Sequence, residues 1–212
     1  MKLYIGNKNY SSWSFRPWIG LTQAGIEFEE VQMWFDFPNG NPEIKAVSPT
    51  GKVPLLVDGD LKIPESLAIM DHVARKFPKS GLWPADSVQR SRAMAMSCEM
   101  VGGFTALRNA CPMNIRKVPI KLSVDTAVLA DVARIETVWD EALASSGGPF
   151  LCGGFSIADA MFAPVVNRLE IYGFELSLGT RAYMDRVKAL NAWKAWEMAS
   201  RAETAIVPED EV

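Results

Sequence analysis

The sequence predicts an α/β domain followed by an all-α domain, because the hydrophobic pattern changes part-way along the chain. Residues 1–77 mix short alternating runs, typical of strands, with apolar residues at helical spacing. Residues 89–212 show helical spacing and no alternating run. Residues 78–88 lie between the two regions and contain two prolines and a glycine, a composition that predicts a linker.

The N-terminal region predicts the element order β-α-β-β-α. Asp58-Gly59-Asp60 is a turn signal between two short apolar runs and therefore predicts a hairpin. Ser66 is expected to cap the helix that follows the hairpin. In chain order, the expected elements are a strand at 2–5, a helix at 15–24, strands at 28–33, 53–57 and 61–63, and a helix from 66 to 77.

The C-terminal region predicts helices packed on one another. Leu129, Val132, Trp139 and Leu143 fall at helical spacing and predict one long apolar face. The segment Ser156–Asp159 has the serine-x-x-acid spacing of a helix capping box, in which the acid reaches back to the backbone N–H of the serine.

Composition and charge exclude several classes of function. The net charge of −3 gives no reason to expect nucleic acid or an anionic membrane as a partner. No run of about 18 apolar residues is present, so no membrane span is expected. The single histidine, His72, excludes a histidine-rich metal site, so no metal is expected. Three widely spaced cysteines are typical of a reducing, cytoplasmic compartment.

The first candidate site is the serine-rich segment Ser11–Ser14, between the first strand and the first helix. A helix N-terminus has unpaired N–H groups and a partial positive charge, so it favours an anion. A serine hydroxyl at that position can donate a hydrogen bond to a thiolate. The alternative interpretation is that these serines cap the helix and do nothing else.

Two further features belong to the same region. Val53-Pro54 precedes an apolar strand. A cis bond there would turn the backbone of Val53 outward, where it could pair with an extended peptide. The alternative is a trans proline that only begins the strand. Glu65-Ser66 begins the next helix, where the carboxylate suits an ammonium group and the helix end suits a carboxylate. A group that carries both charges is an amino-acid head, although Ser66 also suits a plain helix cap.

These motifs together resemble those of the cytosolic glutathione transferase family. Ser48–Leu56 followed by Pro64–Ser66 resembles the glutathione-site signature of that family. Ser11–Arg16 is similar to the active-site segment of its serine-type members, nearest the zeta-like bacterial ones, and Phe155–Asp159 is similar to the capping motif of its helical domain. The resemblance covers essentially the whole chain and implies a thioredoxin-like N-terminal domain with an all-helical C-terminal domain.

The resemblance also implies roles for individual residues. Ser11 would donate to the thiolate of glutathione, with Ser12 close enough to be the donor instead. Ser11 and Ser14 match the positions of the first and second redox cysteines of thioredoxin-like proteins. Trp13 stands where zeta-like members usually have cysteine. The residues implied to contact the rest of glutathione are Lys52, Val53, Pro54, Glu65 and Ser66.

The implied function is a transferase that uses glutathione as co-substrate and activates it for attack on a small hydrophobic electrophile. An isomerase, a dehalogenase and a non-catalytic glutathione-binding module are alternatives that share the fold. The family further implies a homodimer. Apolar residues suggested for the electrophile pocket are Trp13, Trp34, Phe104 and Met113.

Overall fold

The computed structural model describes all 212 residues and places every strand in the first 64 of them. The N-terminal elements are β1 (Lys2–Ile5), α1 (Ser12–Gln23), β2 (Glu29–Gln32), α2 (Pro42–Val47), β3 (Leu55–Asp58), β4 (Leu61–Pro64) and α3 (Ser66–Lys76).

The four strands form one mixed sheet in the order β2-β1-β3-β4. β1 runs parallel to β2 and antiparallel to β3, which pairs with β4 through the predicted hairpin. Leu3 and Ile5 of the inner strand β1 are fully buried in the core that α1 and α3 share with the sheet. The predicted thioredoxin-like arrangement is therefore present.

Two details of this domain differ from the prediction. The short helix α2 was not predicted, because it has six residues and buries one of them, Ile44, which is too little for a periodic signal. β3 begins at Leu55 and not at Val53, since Pro54 has no N–H to give to a strand ladder.

The rest of the chain is helical, as predicted. Residues Ile157–Leu169 of one helix are all buried, and this helix packs against α1 of the first domain as well as its own neighbours. The helices are α4 (Ser87–Gly102), α5 (Thr105–Ala110), α6 (Thr126–Ser146), α7 (Ile157–Ile171), α8 (Leu178–Ala189) and α9 (Asn191–Ala202), followed by a single 3₁₀ turn at Pro208–Asp210.

The predicted apolar face of α6 is correct except at its first position. Val132 and Trp139 are buried, whereas Leu129 is 50% exposed. The buried position one residue earlier is Val128, whose N–H is capped by the Asp125 carboxylate. Leu129 therefore lies one residue off the buried face.

The predicted linker is shorter than expected and is partly buried. α3 ends at Lys76 and α4 begins at Ser87, so the last two residues of the predicted 78–88 linker are helical. Leu82 and Trp83 are buried, and the Leu82 carbonyl accepts a 2.8 Å hydrogen bond from the N–H of Ile157. The boundaries of the domains at 77 and 89 stay predictions. No helix combines the length and the apolar content that crossing a membrane requires.

Candidate functional site

Strand register brings the three predicted features to one end of the sheet. β3 runs antiparallel to β1 with Leu55 opposite Tyr4, so Val53 lies beside the segment that leaves β1 and leads to Ser11. Leu55 also faces Pro64 of β4, which places Glu65 at the same end. Residues far apart in the sequence therefore meet where α1 and α3 begin.

Ser11 is the N-cap residue of α1, but its side chain does not cap the helix. Its hydroxyl donates a 2.7 Å hydrogen bond to the hydroxyl of Ser14, which also accepts a 3.0 Å hydrogen bond from the N–H of Gly6. Ser11 is 5% exposed and Ser14 is fully buried. The interpretation of Ser11 as a simple capping side chain is therefore wrong.

Rotation of both hydroxyl groups would reverse the bond that Ser11 donates to Ser14. Each hydroxyl has one proton and two lone pairs, so Ser14 can accept from Gly6 and still donate to Ser11. In that orientation the proton of Ser11 is free for a ligand. The chain from Gly6 through Ser14 to Ser11 would then strengthen the last donor by polarisation.

Ser12 has a different supporting group. Its hydroxyl oxygen lies 3.4 Å from Nη2 of Arg168, which donates to it from α7. Ser12 is 9% exposed and keeps its own proton for another acceptor. Arg168 was not predicted, although a charged residue just beyond the apolar stretch 160–166 is a signal that could have found it.

The Val53-Pro54 bond is cis. Neither the N–H nor the carbonyl of Val53 has a hydrogen-bond partner in the chain. Unpaired backbone groups next to a strand are the arrangement that an extended peptide ligand can complete. The side chain of neighbouring Lys52 is exposed and makes no hydrogen bond.

Glu65, and not Ser66, is the N-cap residue of α3, which corrects the predicted cap. Glu65 has a positive φ of 71°, and its side chain is exposed without an ionic partner. Ser66 is buried and donates a 2.7 Å hydrogen bond to the carbonyl of Trp13, so its hydroxyl proton already has an acceptor. A non-glycine residue in the left-handed region is often found at binding sites, where surrounding structure holds the strain.

The suggested electrophile pocket is wrong for two of its four residues. Phe104 and Met113 are buried in the core, and Phe104 packs against Phe162 with 6.1 Å between ring centroids. Trp34 is 47% exposed. Trp13 is partly exposed at the first turn of α1 and is the member of the set that adjoins the serines.

Trp13 lies against two arginine side chains. The guanidinium carbon of Arg16 is 4.2 Å from its ring centroid, and that of Arg108 is 4.9 Å away. Burial, followed by the positive charges of Arg168 and Arg108, holds the pKa of Arg16 well below its usual value. Burial likewise lowers the pKa of Arg168, to about 10.

The C-terminal residues hold the loop that precedes Ser11. The Glu203 carboxylate accepts hydrogen bonds from the N–H groups of Lys8 and Asn9, at 2.6 and 3.0 Å. The buried Tyr10 donates a 2.6 Å hydrogen bond from its hydroxyl to Glu211, so it ties the same loop to the C-terminus. These contacts span almost the whole sequence, and no local pattern indicates them.

Two family models match the chain. One is described as "Glutathione S-transferase, N-terminal domain" and matches residues 10–76; the other is "Glutathione S-transferase, C-terminal domain" and matches residues 103–196. Together they span well over half of the sequence. The chain belongs to the glutathione S-transferase family.

Other members of the family are similar along most of their length. Glutathione S-transferase 1 of Dianthus caryophyllus is 27% identical over 195 residues, which are 90% of this chain and 85% of that protein. Glutathione S-transferase Z2 of Arabidopsis thaliana is 26% identical over 167 residues, 76% of this chain and 75% of that protein.

A solved structure agrees with the fold. The glutathione transferase homolog from Burkholderia gl BGR1, solved with bound glutathione, superposes with a TM-score of 0.72 at 22% identity, covering 95% of this chain and 98% of that one. These findings confirm the predicted family, fold class and enzyme class of this glutathione S-transferase.

Proposed function

We propose that this glutathione S-transferase binds glutathione at the shared end of β1, β3 and β4 and activates its thiol for attack on an electrophile. The observation that carries the proposal is the meeting of Ser11, the unpaired backbone of Val53 and the unpaired Glu65 carboxylate at one end of the sheet. The structural relative from Burkholderia gl BGR1, which contains glutathione, supports the choice of co-substrate.

Each part of glutathione has a chemical counterpart at this site. The backbone of Val53, before Pro54, pairs with the cysteinyl group as a neighbouring strand would. Glu65 takes the ammonium group of the γ-glutamyl end. The free N–H groups at the start of α3, at Ser66, take its carboxylate. Lys52 is exposed and suits the glycyl carboxylate.

The role of Ser11 is to hold the thiolate. Lowering a thiol pKa from about 8.5 to roughly 6.5 requires about 2.7 kcal/mol. A hydrogen bond to a charged group contributes about 1.5–3 kcal/mol and a helix N-terminus roughly 0.3–1 kcal/mol more, so the two together suffice. In a nucleophilic substitution reaction, the sulfur forms a bond to the electrophilic carbon and the leaving group departs with its electron pair. The thiol proton goes to solvent.

Ser12 is a second candidate for the same role. Arg168 donates to its oxygen, which leaves the Ser12 proton free without any rearrangement of other hydroxyl groups. Ser11 instead requires the Ser14 hydroxyl to turn toward it. The two candidates predict different effects of the two serine-to-alanine substitutions.

Calorimetry with reduced glutathione tests the proposed site. We expect the parent protein to bind glutathione and Glu65→Gln to bind it about 10-fold more weakly, because the amide loses one charge-assisted hydrogen bond. Glu197→Gln, which removes a half-buried carboxylate that pairs with Arg201 on α9, is the control variant and should bind like the parent. A parent protein that shows no binding at millimolar glutathione would contradict the proposal. Binding without turnover of any electrophile would instead favour the non-catalytic module.

The same family membership supports a proposal for the assembly and the location of the protein. We infer a homodimer that acts in the cytoplasm. Exposed apolar side chains on β4 and α4, among them Leu61, Val88 and Val101, support a partner surface. Three free cysteines suit a reducing compartment. Light scattering that reports a 23.4 kDa particle at micromolar concentration would rule out the dimer.

A further inference from the structure

The segment that leads from β1 to Ser11 is a tight turn. Within it, the carbonyl of Asn7 accepts hydrogen bonds from the N–H groups of Tyr10 and Ser11, at 3.1 and 2.8 Å. The two intervening N–H groups, those of Lys8 and Asn9, have no acceptor inside the turn. The conformation of the turn determines where Ser11 lies, because the N–H of Ser11 forms one of its hydrogen bonds.

One carboxylate from the far end of the chain accepts both of the remaining N–H groups. Glu203 follows α9, and each of its two oxygens accepts from one backbone N–H, of Lys8 at 2.6 Å and of Asn9 at 3.0 Å. The side-chain amide of Gln32, the last residue of β2, donates to the same carboxylate. Glu203 is 9% exposed and forms no ion pair within 4.0 Å. A buried carboxylate without a counter-ion depends on its hydrogen bonds, so these three donors hold it in place.

The backbone that carries the Glu203 carboxylate is itself fixed relative to the turn. The Arg116 guanidinium donates to the carbonyls of Glu203 and Ala205, the second at 2.7 Å, and to the hydroxyl of Tyr10 at 2.9 Å. The backbone N–H of Arg116 also donates to the side chain of Asn9, at 2.8 Å. Arg116 therefore joins the turn and the residue that anchors it.

Both ends of the proposed hydroxyl relay flank this turn. Gly6 precedes it and donates to the Ser14 hydroxyl at 3.0 Å, and Ser11 follows it and forms a 2.7 Å hydrogen bond with the same hydroxyl. Hydrogen bonds weaken steeply when their geometry departs from the ideal. A change in the turn would therefore alter the donor to the thiolate, while Glu65 and the backbone of Val53, which hold the rest of glutathione, would stay in place.

We propose that Glu203 is a positioning residue for the glutathione thiolate, because its carboxylate fixes the turn that places Ser11 at the N-terminus of α1. This inference rests on the proposed function and gives the end of the chain a part in it. The charge of Glu203 does not itself favour the thiolate, since a negative charge disfavours another one nearby. Removal of that charge should therefore shift the thiol pKa in one direction for a positioning role and in the other for an electrostatic role.

Glu203→Gln tests the proposal because it keeps the shape of the side chain and removes the charge. One of the two atoms that accept N–H groups becomes an amide nitrogen, which cannot accept them. We expect the pKa of the bound glutathione thiol to rise by about 0.5–1 unit, measured by the ultraviolet absorbance of the thiolate against pH. At a pH below both pKa values, kcat should then fall about 3- to 10-fold. Calorimetry with S-methylglutathione, which has no thiol, should give a Kd within about twofold of the parent value.

Two further variants separate positioning from a general loss of stability. Glu203→Asp keeps the charge but is one methylene shorter, so it should raise the thiol pKa less than Glu203→Gln does. Asp159→Asn is the matched control, because Asp159 is also a buried carboxylate that accepts backbone N–H groups, and its donors lie around the start of α7 and not in the turn. It should leave the thiol titration unchanged. All titrations are made well below the unfolding temperature of each variant.

Amide hydrogen exchange at Lys8 and Asn9, measured without ligand, shows directly whether the anchor is lost. We expect both amides to exchange faster in Glu203→Gln than in the parent. Faster exchange with an unchanged thiol titration would overturn the positioning role, and a thiol pKa that falls would replace it with an electrostatic one. An equal rise in Asp159→Asn would assign the effect to lost stability and would also overturn the proposal.

The outcomes separate this inference from the proposed function. A parent that binds no S-methylglutathione and shows no thiolate titration would contradict the proposed function and this inference with it. A parent that behaves as expected, with Glu203 variants that titrate like it, would contradict this inference alone. If Glu203→Gln does not fold, Glu203→Asp gives the same comparison, and an unchanged titration in that variant would overturn the proposal.

Discussion

Helices α1 and α7 both have a serine as N-cap residue, and the two helix ends have opposite surroundings. At α7, the Asp159 carboxylate accepts hydrogen bonds from the N–H of Ser156, the hydroxyl of Ser156, the N–H of Leu151 and the hydroxyl of Tyr183. At α1, no acidic residue lies in the first turn and Ser11 does not cap the helix.

The difference lies in what fills the positive end of each helix. The chain supplies its own anion at α7, where the fully buried carboxylate joins the helix end, the preceding loop and α8. The chain supplies none at α1, where arginines add further positive charge. The same helix-end field therefore stabilises the fold in one place and is left for a ligand in the other.

The largest expected effect is at α7. Asp159→Ala removes one carboxylate and leaves four donors without their acceptor: three on the loop and the helix cap before α7, and the hydroxyl of Tyr183 on α8. We expect the free energy of unfolding to fall by about 3–5 kcal/mol. Urea denaturation of the variant and the parent measures the change. Coinciding transitions would show that the two helix ends do not differ in this way.

The pH dependence of the same group sharpens the comparison. Burial raises the pKa of Asp159 to about 6, against the opposing effect of its hydrogen-bond donors. Between the ordinary carboxyl pKa and about 6, Asp159 is protonated in the folded state and ionised in the unfolded state. Its contribution to the free energy of unfolding therefore falls as pH rises, by about 1.4 kcal/mol per pH unit. Above about pH 6 the contribution is constant.

Asp159→Asn provides the reference for this measurement, because the amide does not titrate. The difference in unfolding free energy between parent and variant should decline from about pH 4 to pH 6 and then level off. A difference that is independent of pH would mean that the pKa of Asp159 is the same in the folded and unfolded states.

At α1 the expected free-energy change is smaller, and it affects the reaction rather than the stability of the fold. Ser11→Ala should raise the pKa of bound glutathione by about one to two units and lower the rate at neutral pH by about 10- to 100-fold. Glutathione affinity should fall less, because Glu65 and the Val53 backbone remain. The ultraviolet absorbance of the thiolate, titrated against pH, measures the shift.

Ser12→Ala is the matched control for Ser11→Ala. If the relay from Gly6 through Ser14 supports Ser11, Ser12→Ala should shift the titration less. A shift confined to Ser12→Ala would assign the thiolate to the serine that Arg168 supports, and an unchanged Ser11→Ala titration would remove Ser11 from the mechanism.

Local patterns in the sequence were sufficient to predict the fold class. They also predicted contacts between residues that are close together in the sequence. Asp58-Gly59-Asp60 specified a hairpin because turn residues determine register locally. The spacing Ser156–Asp159 specified a capping box because both partners lie within one helical turn. The glutathione motifs were recognisable for the same reason, since each occupies a short continuous segment.

Tertiary structure alone decided how the site is charged and which groups are free. Arg16, Arg108 and Arg168 are separated by dozens of residues, and nothing in their local sequence indicates that they converge on Trp13 and Ser12. Ser66 looked like a cap, but the packing of α3 against α1 gives its proton to the Trp13 carbonyl. Local sequence fixes backbone preference over a few residues, whereas the pairing of distant side chains depends on how whole elements pack, which no short segment encodes.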